Sequence, residues 1–391
     1  MVGAETVVLL NGELIVSHIK LLFFVTEDWY FCSHRLSIAR EAMRNGFDVV
    51  VATRVDRHGE QITSEGFKLI PLKLQRRSTN PLSEIAAIIQ LVSIYHKEKP
   101  DIVHHVAMKP VLYGSLAALL TGVPRVVNAL AGMGYVFISN QLKAQLLKPT
   151  IKVAFTLLLN RVFSRLILQN QDDCAMFIKA KLVNTERVRL IRGSGVDTEI
   201  YFPTPEPTGQ PVVVLASRML WDKGVREFVE AAKLLKERGV NARFILVGDT
   251  DLHNPAAIPV EQLDSWHSEM NVECWGQQED MTSIFSQSHI VCLPSYREGL
   301  PKVLLEAASC GRPIVTTDTN GCREVVRHGE NGFLVPVRST VELSDALQLL
   351  IENSELRKQM GIRGREIVVE EFAVEKVVAE TLAVYEELVN S

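Results

Sequence analysis

The chain has 391 residues, 47% of them hydrophobic and 23% charged, with 42 Lys and Arg against 46 Asp and Glu for a formal net charge of -4. That length admits two domains, each with its own core, and that balance excludes both a disordered chain and a polycation built for nucleic acid. The charge is uneven, +7 over residues 1–200 and -11 over residues 201–391, so the first half is the one suited to an anionic surface or acceptor.

The six cysteines form no C-x-x-C pair, which fits reduced thiols of a cytosolic protein and argues against structural zinc. No run reaches the roughly 18 uninterrupted apolar residues of a membrane span. The opening residues carry acids and a glycine where a signal peptide needs a basic end and an apolar block, so secretion is not expected. Residues 1–18 read as a short extension ahead of the first strand, with no functional reading.

From there, apolar β-branched runs alternate with helical patterns. IKLLFFVT (19–26) reads as a strand, CSHRLSIAREAMRNG (32–46) as a helix closed by Gly46, and FDVVVAT (47–53) as the next strand; DIVHHV and RVVNAL follow. Residues 141–168 mix apolar side chains with Lys143, Lys148, Lys152, Arg161 and Arg165 and contain no acid. Such a segment either lies in a lipid headgroup layer or is a core helix with its lysines in water. Residues 193–211, rich in Pro, Gly and Thr, read as a linker. Alternation then resumes through VVVLAS, VREFVEAAKLLKERG, ARFILVG, NVECWG, HIVCLPS, PIVTT and GFLVP, and the chain closes on an amphipathic helix at 373–391. Continuous apolar strands joined by helices mean parallel sheets covered on both faces. The expectation is α/β: two doubly wound domains, 1–192 and 212–372, with ligands at the carboxyl ends of the strands in a central cleft between them.

The stretch SYREGLPKVLLEAA (295–308) places Glu298 just before a Gly-Leu-Pro step and Glu306 two turns into a helix that Pro301 is suited to open. The early amides of that helix and its dipole suit a phosphate, each contact contributing about 0.3–1 kcal/mol, and Gly299 allows close approach to the backbone. Two carboxylates flanking an anion-binding turn are acceptors for hydroxyl groups, and one ligand with hydroxyls on both sides of a diphosphate is a nucleotide sugar. Arg218 and Lys223, in the turn of VLASRMLWDKGVREF, add two cations at the same sheet edge. Taken singly, each pattern is equally that of an ordinary charged loop.

Taken together, the chain resembles the retaining nucleotide-sugar glycosyltransferases of family four, and EGLPKVLLEA matches their E-x7-E signature. The resemblance implies a GT-B fold whose last helix crosses back to the first domain. It also implies that Arg218 and Lys223 hold the donor diphosphate, Gly299 and Leu300 add backbone amides, Glu298 touches the donor sugar and Glu306 the ribose. The catalytic set is then Arg218, Lys223 and Glu298, with no metal and no cofactor beyond a UDP-sugar as co-substrate. Within the family, SHRLSIA, MKPVLYGSLAA (Pro110, Tyr113, Gly114), LAGMGYVF (Gly132, Gly134) and VGDTDLHNPAAI resemble bacterial enzymes that extend undecaprenyl-diphosphate-linked saccharides with an N-acetylhexosamine. That narrower likeness implies a lipid-linked saccharide acceptor met by Ser33, His34, Arg35 and Lys109. It further implies work at the inner face of the cytoplasmic membrane, as a peripheral protein, with no nucleic acid partner. His34 and Arg35 are also open to a structural reading as a helix-start pair, which for His34 is the stronger one, and Lys109 to a reading as an interfacial lysine.

The chain departs from the family at Ala131-Gly132-Met133-Gly134, where many members carry a His, so no catalytic role is assigned to such a residue. His104 and His105 are expected to be structural, and Asp249-Thr250-Asp251 is expected to be a turn rather than a metal site. Two other readings stay open: an epimerase acting on UDP-N-acetylglucosamine on a similar architecture, and a non-catalytic nucleotide-sugar-binding protein.

Overall fold

A computed structural model describes residues 6–10, 13–17, 19–74, 80–130, 142–251, 254–270 and 272–391. The chain divides into two compact units, Met1–Ser194 with Val377–Ser391, and Gly195–Lys376.

In the first unit, β1 (Thr6–Leu10) and β2 (Glu13–Ser17) form an antiparallel pair. The main sheet contains β3 (Lys20–Glu27), β4 (Asp48–Arg54), β5 (Lys68–Pro71), β6 (Ile102–Val106), β7 (Arg125–Leu130), β8 (Ser164–Leu168) and β9 (Val188–Leu190). All seven are parallel, in the order β5-β4-β3-β6-β7-β8-β9. Residues 21–24 of β3 are wholly buried on both faces, as a strand covered by helices on either side must be.

The second unit repeats the plan with β10 (Val212–Ala216), β11 (Arg243–Val247), β12 (Val272–Cys274), β13 (Ile290–Leu293), β14 (Ile314–Thr317) and β15 (Gly332–Val335). These are parallel in the order β12-β11-β10-β13-β14-β15. In each unit the strand order reverses once, between β3 and β6 and between β10 and β13. Ligands of open α/β sheets bind at that reversal, outside the carboxyl ends of the strands.

Three local expectations change. The run 32–46 is two helices, Asp28–His34 and Leu36–Arg44, because Arg35 leaves the helical region (φ -130°, ψ -10°). The basic stretch 141–168 is not one helix: the helix Leu142–Leu159 ends, and 164–168 is the buried strand β8. Within 193–211, residues 198–206 are strapped to the second unit. Arg365 donates to the carbonyls of Thr198 (3.0 Å) and Tyr201 (2.8 Å), Arg312 to Thr204 Oγ1 (2.6 Å), and Arg357 pairs with Glu206. Their Pro and Thr content reflects an irregular path rather than slack.

The closing helix Val374–Val389 supplies the residues that return to the first unit. Tyr385 Oη meets His104 Nδ1 at 2.5 Å, Arg125 Nε donates to the Leu388 carbonyl at 2.7 Å, and Arg165 and Arg189 both pair with Glu387 at 2.7 and 2.6 Å. His104 and His105 are both buried in β6; His105 contacts Tyr95 Oη at 2.9 Å and Asn128 Oδ1 at 2.8 Å. Gly114 serves this packing, since a Cβ there would lie 2.5 Å from the His105 ring.

Candidate active site

In the second unit, the turn after β10 and the turn after β13 lie side by side, because the two strands are parallel neighbours. The first turn runs through Arg218 to a short 3-10 turn, Trp221–Lys223, and then Gly224, whose φ of 71° opens the helix Val225–Glu237. Gly224 is required twice over, because a Cβ there would also lie 2.0 Å from the Pro294 carbonyl oxygen of the second turn. The second turn is anchored by its neighbours. Tyr296 N and Ser295 Oγ donate to the Asp222 carbonyl at 2.9 and 3.1 Å, and Thr317 Oγ1 of β14 donates to the Ser295 carbonyl.

Across these turns Lys223 Nζ meets Glu298 Oε1 at 2.5 Å, with the two side chains only 21% and 12% exposed. Arg218 pairs with Asp251 at 3.0 Å. Pro301 precedes the helix Lys302–Ser309 by one residue, in an extended conformation (ψ 107°) that turns the chain into the helix. Gly299 is pressed from behind: a Cβ on Gly321 would lie 2.4 Å from its carbonyl oxygen. Glu306 is buried, at 3.4 Å from Lys302 Nζ and hydrogen-bonded to the Tyr201 hydroxyl. Burial raises its carboxyl above the usual carboxylate range, and Lys302 and Tyr201 offset this only in part.

Arg218, Lys223, Glu298, Gly299, Leu300 and Glu306 thus all belong to the turns and helix start along one edge of one sheet. Sequence reasoning missed the pairing of Asp251 with Arg218, and it missed Tyr201, Gly321 and the pair Tyr296–Glu227, in which the tyrosine hydroxyl donates to Glu227 Oε1 at 2.6 Å. Burial and that bond push the Tyr296 hydroxyl up to about 12. Tyr201 was hidden in a segment read as linker; Asp251 and Gly321 lie in loops whose partners are remote in sequence. Asp249-Thr250-Asp251 is an irregular stretch after β11 tied by hydrogen bonds: Asp249 Oδ1 accepts from Gln277 N at 3.1 Å and Thr250 Oγ1 donates to the Ile258 carbonyl at 2.7 Å. Among the described residues no group of three or more His, Cys, Asp or Glu is placed to hold a metal ion.

In the first unit, Ser33 and His34 end the helix Asp28–His34, with Ser33 Oγ 2.5 Å from His34 Nδ1 and the Tyr30 ring stacked on the imidazole at 4.0 Å. Arg35 is buried, 3% exposed, and donates to the His34 carbonyl at 3.0 Å. The three do not present one polar face: Ser33 and His34 close one helix, and Arg35 stands between it and the next, Leu36–Arg44, as the residue that caps the start of the latter. Lys109, near the start of the helix Met108–Thr121, pairs with Glu84 at 2.9 Å, and the Tyr113 hydroxyl donates to the same carboxylate. Both sets follow the strands β3 and β6 that flank this unit's own reversal. Residues 131–134, where the chain departs from the family, lie outside the described residues.

Residues 196–367 match the family model for glycosyl transferases group 1, and residues 20–169 match that for glycosyl transferase 4-like domains. The chain is 27% identical to the N,N'-diacetylbacillosaminyl-diphospho-undecaprenol alpha-1,3-N-acetylgalactosaminyltransferase of Campylobacter jejuni, over 84% of this chain and 88% of that protein. It is 28% identical to the UDP-Gal:alpha-D-GlcNAc-diphosphoundecaprenol alpha-1,3-galactosyltransferase of Escherichia coli, over 69% and 71%. Among solved structures, Anabaena HepE in complex with UDP and glucose superposes with a TM-score of 0.74 at 22% identity, covering 94% of this chain and all of that one. Two family models in tandem, each on one parallel-sheet unit, together with these relatives, show a glycosyltransferase made of a glycosyl transferase 4-like domain and a glycosyl transferases group 1 domain, with the GT-B fold.

Proposed function

We propose that the chain moves a sugar, an N-acetylhexosamine, from a UDP-sugar to a polyprenyl-diphosphate-linked saccharide in cell-surface glycan synthesis, with retention of configuration. The observation that carries the donor half is the contact of Lys223 with Glu298 across two turns at the strand reversal, which gathers a cation, a carboxylate and a helix start at one place. The relatives' lipid-linked acceptors and the excess of cations in residues 1–200 support the acceptor half.

In this reading Arg218 and Lys223 meet the donor diphosphate, the backbone at Gly299 and Leu300 lines it, Glu298 accepts from sugar hydroxyls and Glu306 from the ribose. As the glycosidic bond to phosphate breaks, negative charge grows on the phosphate oxygens, where the two cations stabilise it more than in the ground state. The sequence offers no obvious second carboxylate to attack from the far side of the sugar. The acceptor hydroxyl therefore enters on the face the phosphate leaves, and the departing phosphate takes its proton. Departure needs no metal, so enzyme treated with a chelator keeps its turnover. Ser33, His34 and Lys109 meet the acceptor, and Arg35 adds positive potential from a buried position.

We also infer peripheral contact with the cytoplasmic face of a membrane. No helix among the described residues is long and apolar enough to cross one. The helix Pro81–Glu98, however, turns Leu82, Ile85 and Ile89 outward at 76%, 54% and 64% exposure, spaced as one stripe. The acid-free helix Leu142–Leu159 exposes Val153 and Leu157 beside Lys152. The test of the whole reading is a panel of UDP- and GDP-sugars offered with membrane extract, read by mass spectrometry of the lipid fraction. A lipid-linked saccharide heavier by one N-acetylhexosamine is expected. An altered sugar nucleotide without acceptor, or donor left unconsumed, overturns it.

A further inference from the structure

Behind the turn that carries Lys223, the second unit has a cavity of about 380 Å³ lined by Trp221, Arg226, Val229, Glu230, Gln262 and Trp266. It lies between the helices Val225–Glu237 and Val260–Met270, with Trp221 contributed by the 3-10 turn. That volume is at the small end of the range for sites of small molecules, about 300–1,000 Å³. From this cavity we infer a second binding site, for one neutral pyranose residue of a glycan.

Aromatic walls come first. Trp221 and Trp266 meet edge to face, centroids 5.9 Å apart at 87°. Perpendicular rings leave no parallel slot to sandwich a planar base; they offer one indole face with an edge beside it, which fits the apolar C–H face of a sugar ring and its rim of hydroxyls.

Available donors and acceptors come next. Among the described residues neither indole N–H nor the Gln262 carboxamide has a hydrogen-bond partner in the protein, and none of these atoms is sealed off, so each is open to a ligand. An indole N–H and a carboxamide left unbonded at a cavity wall are groups that a polyhydroxylated ligand satisfies. Arg226 spends only its Nε on Glu230, at 2.7 Å, and Glu230 also accepts from Thr340 Oγ1 at 3.1 Å.

Charge selects the ligand class. Among the described residues the only charges lining the cavity are this one Arg and one Glu, which neutralise each other. A phosphate or carboxylate would find no net positive potential, whereas vicinal hydroxyls would find donor and acceptor side by side. The site is therefore for an uncharged sugar, separate in chemistry from the cationic turn at Arg218 and Lys223. It does not rest on the donor and acceptor assignments.

The test uses the full chain saturated with UDP, titrated with the methyl glycosides of glucose, galactose, N-acetylglucosamine and N-acetylgalactosamine. Binding is read by saturation-transfer NMR and calorimetry, with the same series on Gln262→Ala and Arg226→Ala, two partly exposed positions, each checked for an unchanged melting temperature. At least one glycoside should bind saturably in the presence of UDP and weaken fivefold or more in both variants. Binding that UDP abolishes, binding equal in wild type and both variants, or no saturable binding by any of the four overturns the inference.

Discussion

Replacing Lys223 by alanine removes one member of a pair whose carboxylate is only 12% exposed. An exposed ion pair contributes about 0.2–1 kcal/mol, while breaking a fully buried one is destabilising by about 3–5 kcal/mol because the remaining charge is stranded. With partners 21% and 12% exposed the pair lies between these limits, so Lys223→Ala should destabilise the second unit by about 2 kcal/mol. The same change should lower turnover by about 10²-fold or more, since it removes a cation from the phosphate that gains charge in the transition state. The two effects separate in the double variant Lys223→Met, Glu298→Gln, which leaves no stranded carboxylate. Its melting temperature should recover toward wild type while kcat/KM for sugar transfer stays low. The assays are calorimetric melting and transfer from UDP-sugar to lipid-linked acceptor. A single variant within about threefold of wild-type kcat/KM would refute the role given to Lys223, however its stability behaved.

Tyr296→Phe removes the bond to Glu227 without touching the substituents that meet donor; transfer kinetics should show KM for the donor rising severalfold with a smaller change in kcat, and equal losses in both would mean that Tyr296 does more than hold the turn. Stability should fall with acid: burial pushes His105 from 6.5 down to about 4, with His104 lowered as well, so the unfolded chain takes up protons that the folded one refuses. The contribution is intact above about pH 6.5 and is lost as pH falls toward 4, by about 3 kcal/mol from His105 alone; urea midpoints across that window should show the slope, and His105→Gln should flatten it. Leu82→Ser, Ile85→Ser, Ile89→Ser together should reduce sedimentation with anionic vesicles several-fold without lowering the melting temperature, because all three side chains face outward; undiminished sedimentation would free this stripe of any role.

Much of the fold was legible because its strands are short apolar runs between helical patterns: β7 and β15 fall where RVVNAL and GFLVP suggested. The donor edge was legible for a physical reason too. Pro301, Gly299 and the two glutamates are close in sequence, so local rules of helix starts applied. Arg218 and Lys223 could be joined to them because alternation in a parallel sheet puts every such turn at the same edge. What stayed hidden depends on tertiary contact. Arg35 was read with His34 as an acceptor contact or a helix-start pair, but it is buried at the junction of two helices; composition cannot register that. The segment at 198–206 looked like a tether because Pro and Thr signal irregular backbone, not loose backbone, and the arginines that bind it lie more than 100 residues away. For the same reason Tyr201 could not be placed beside Glu306 from sequence.

The central claim is that the edge beside Arg218 and Lys223 holds the diphosphate of a sugar nucleotide. Calorimetric titration of UDP into wild type and Arg218→Ala tests it most directly, because Arg218 is partly exposed and paired only at the rim with Asp251, so its loss should leave the unit folded. The account predicts at least tenfold weaker UDP binding in the variant, with the melting temperature of the free protein unchanged. UDP affinity equal in the two proteins would contradict it.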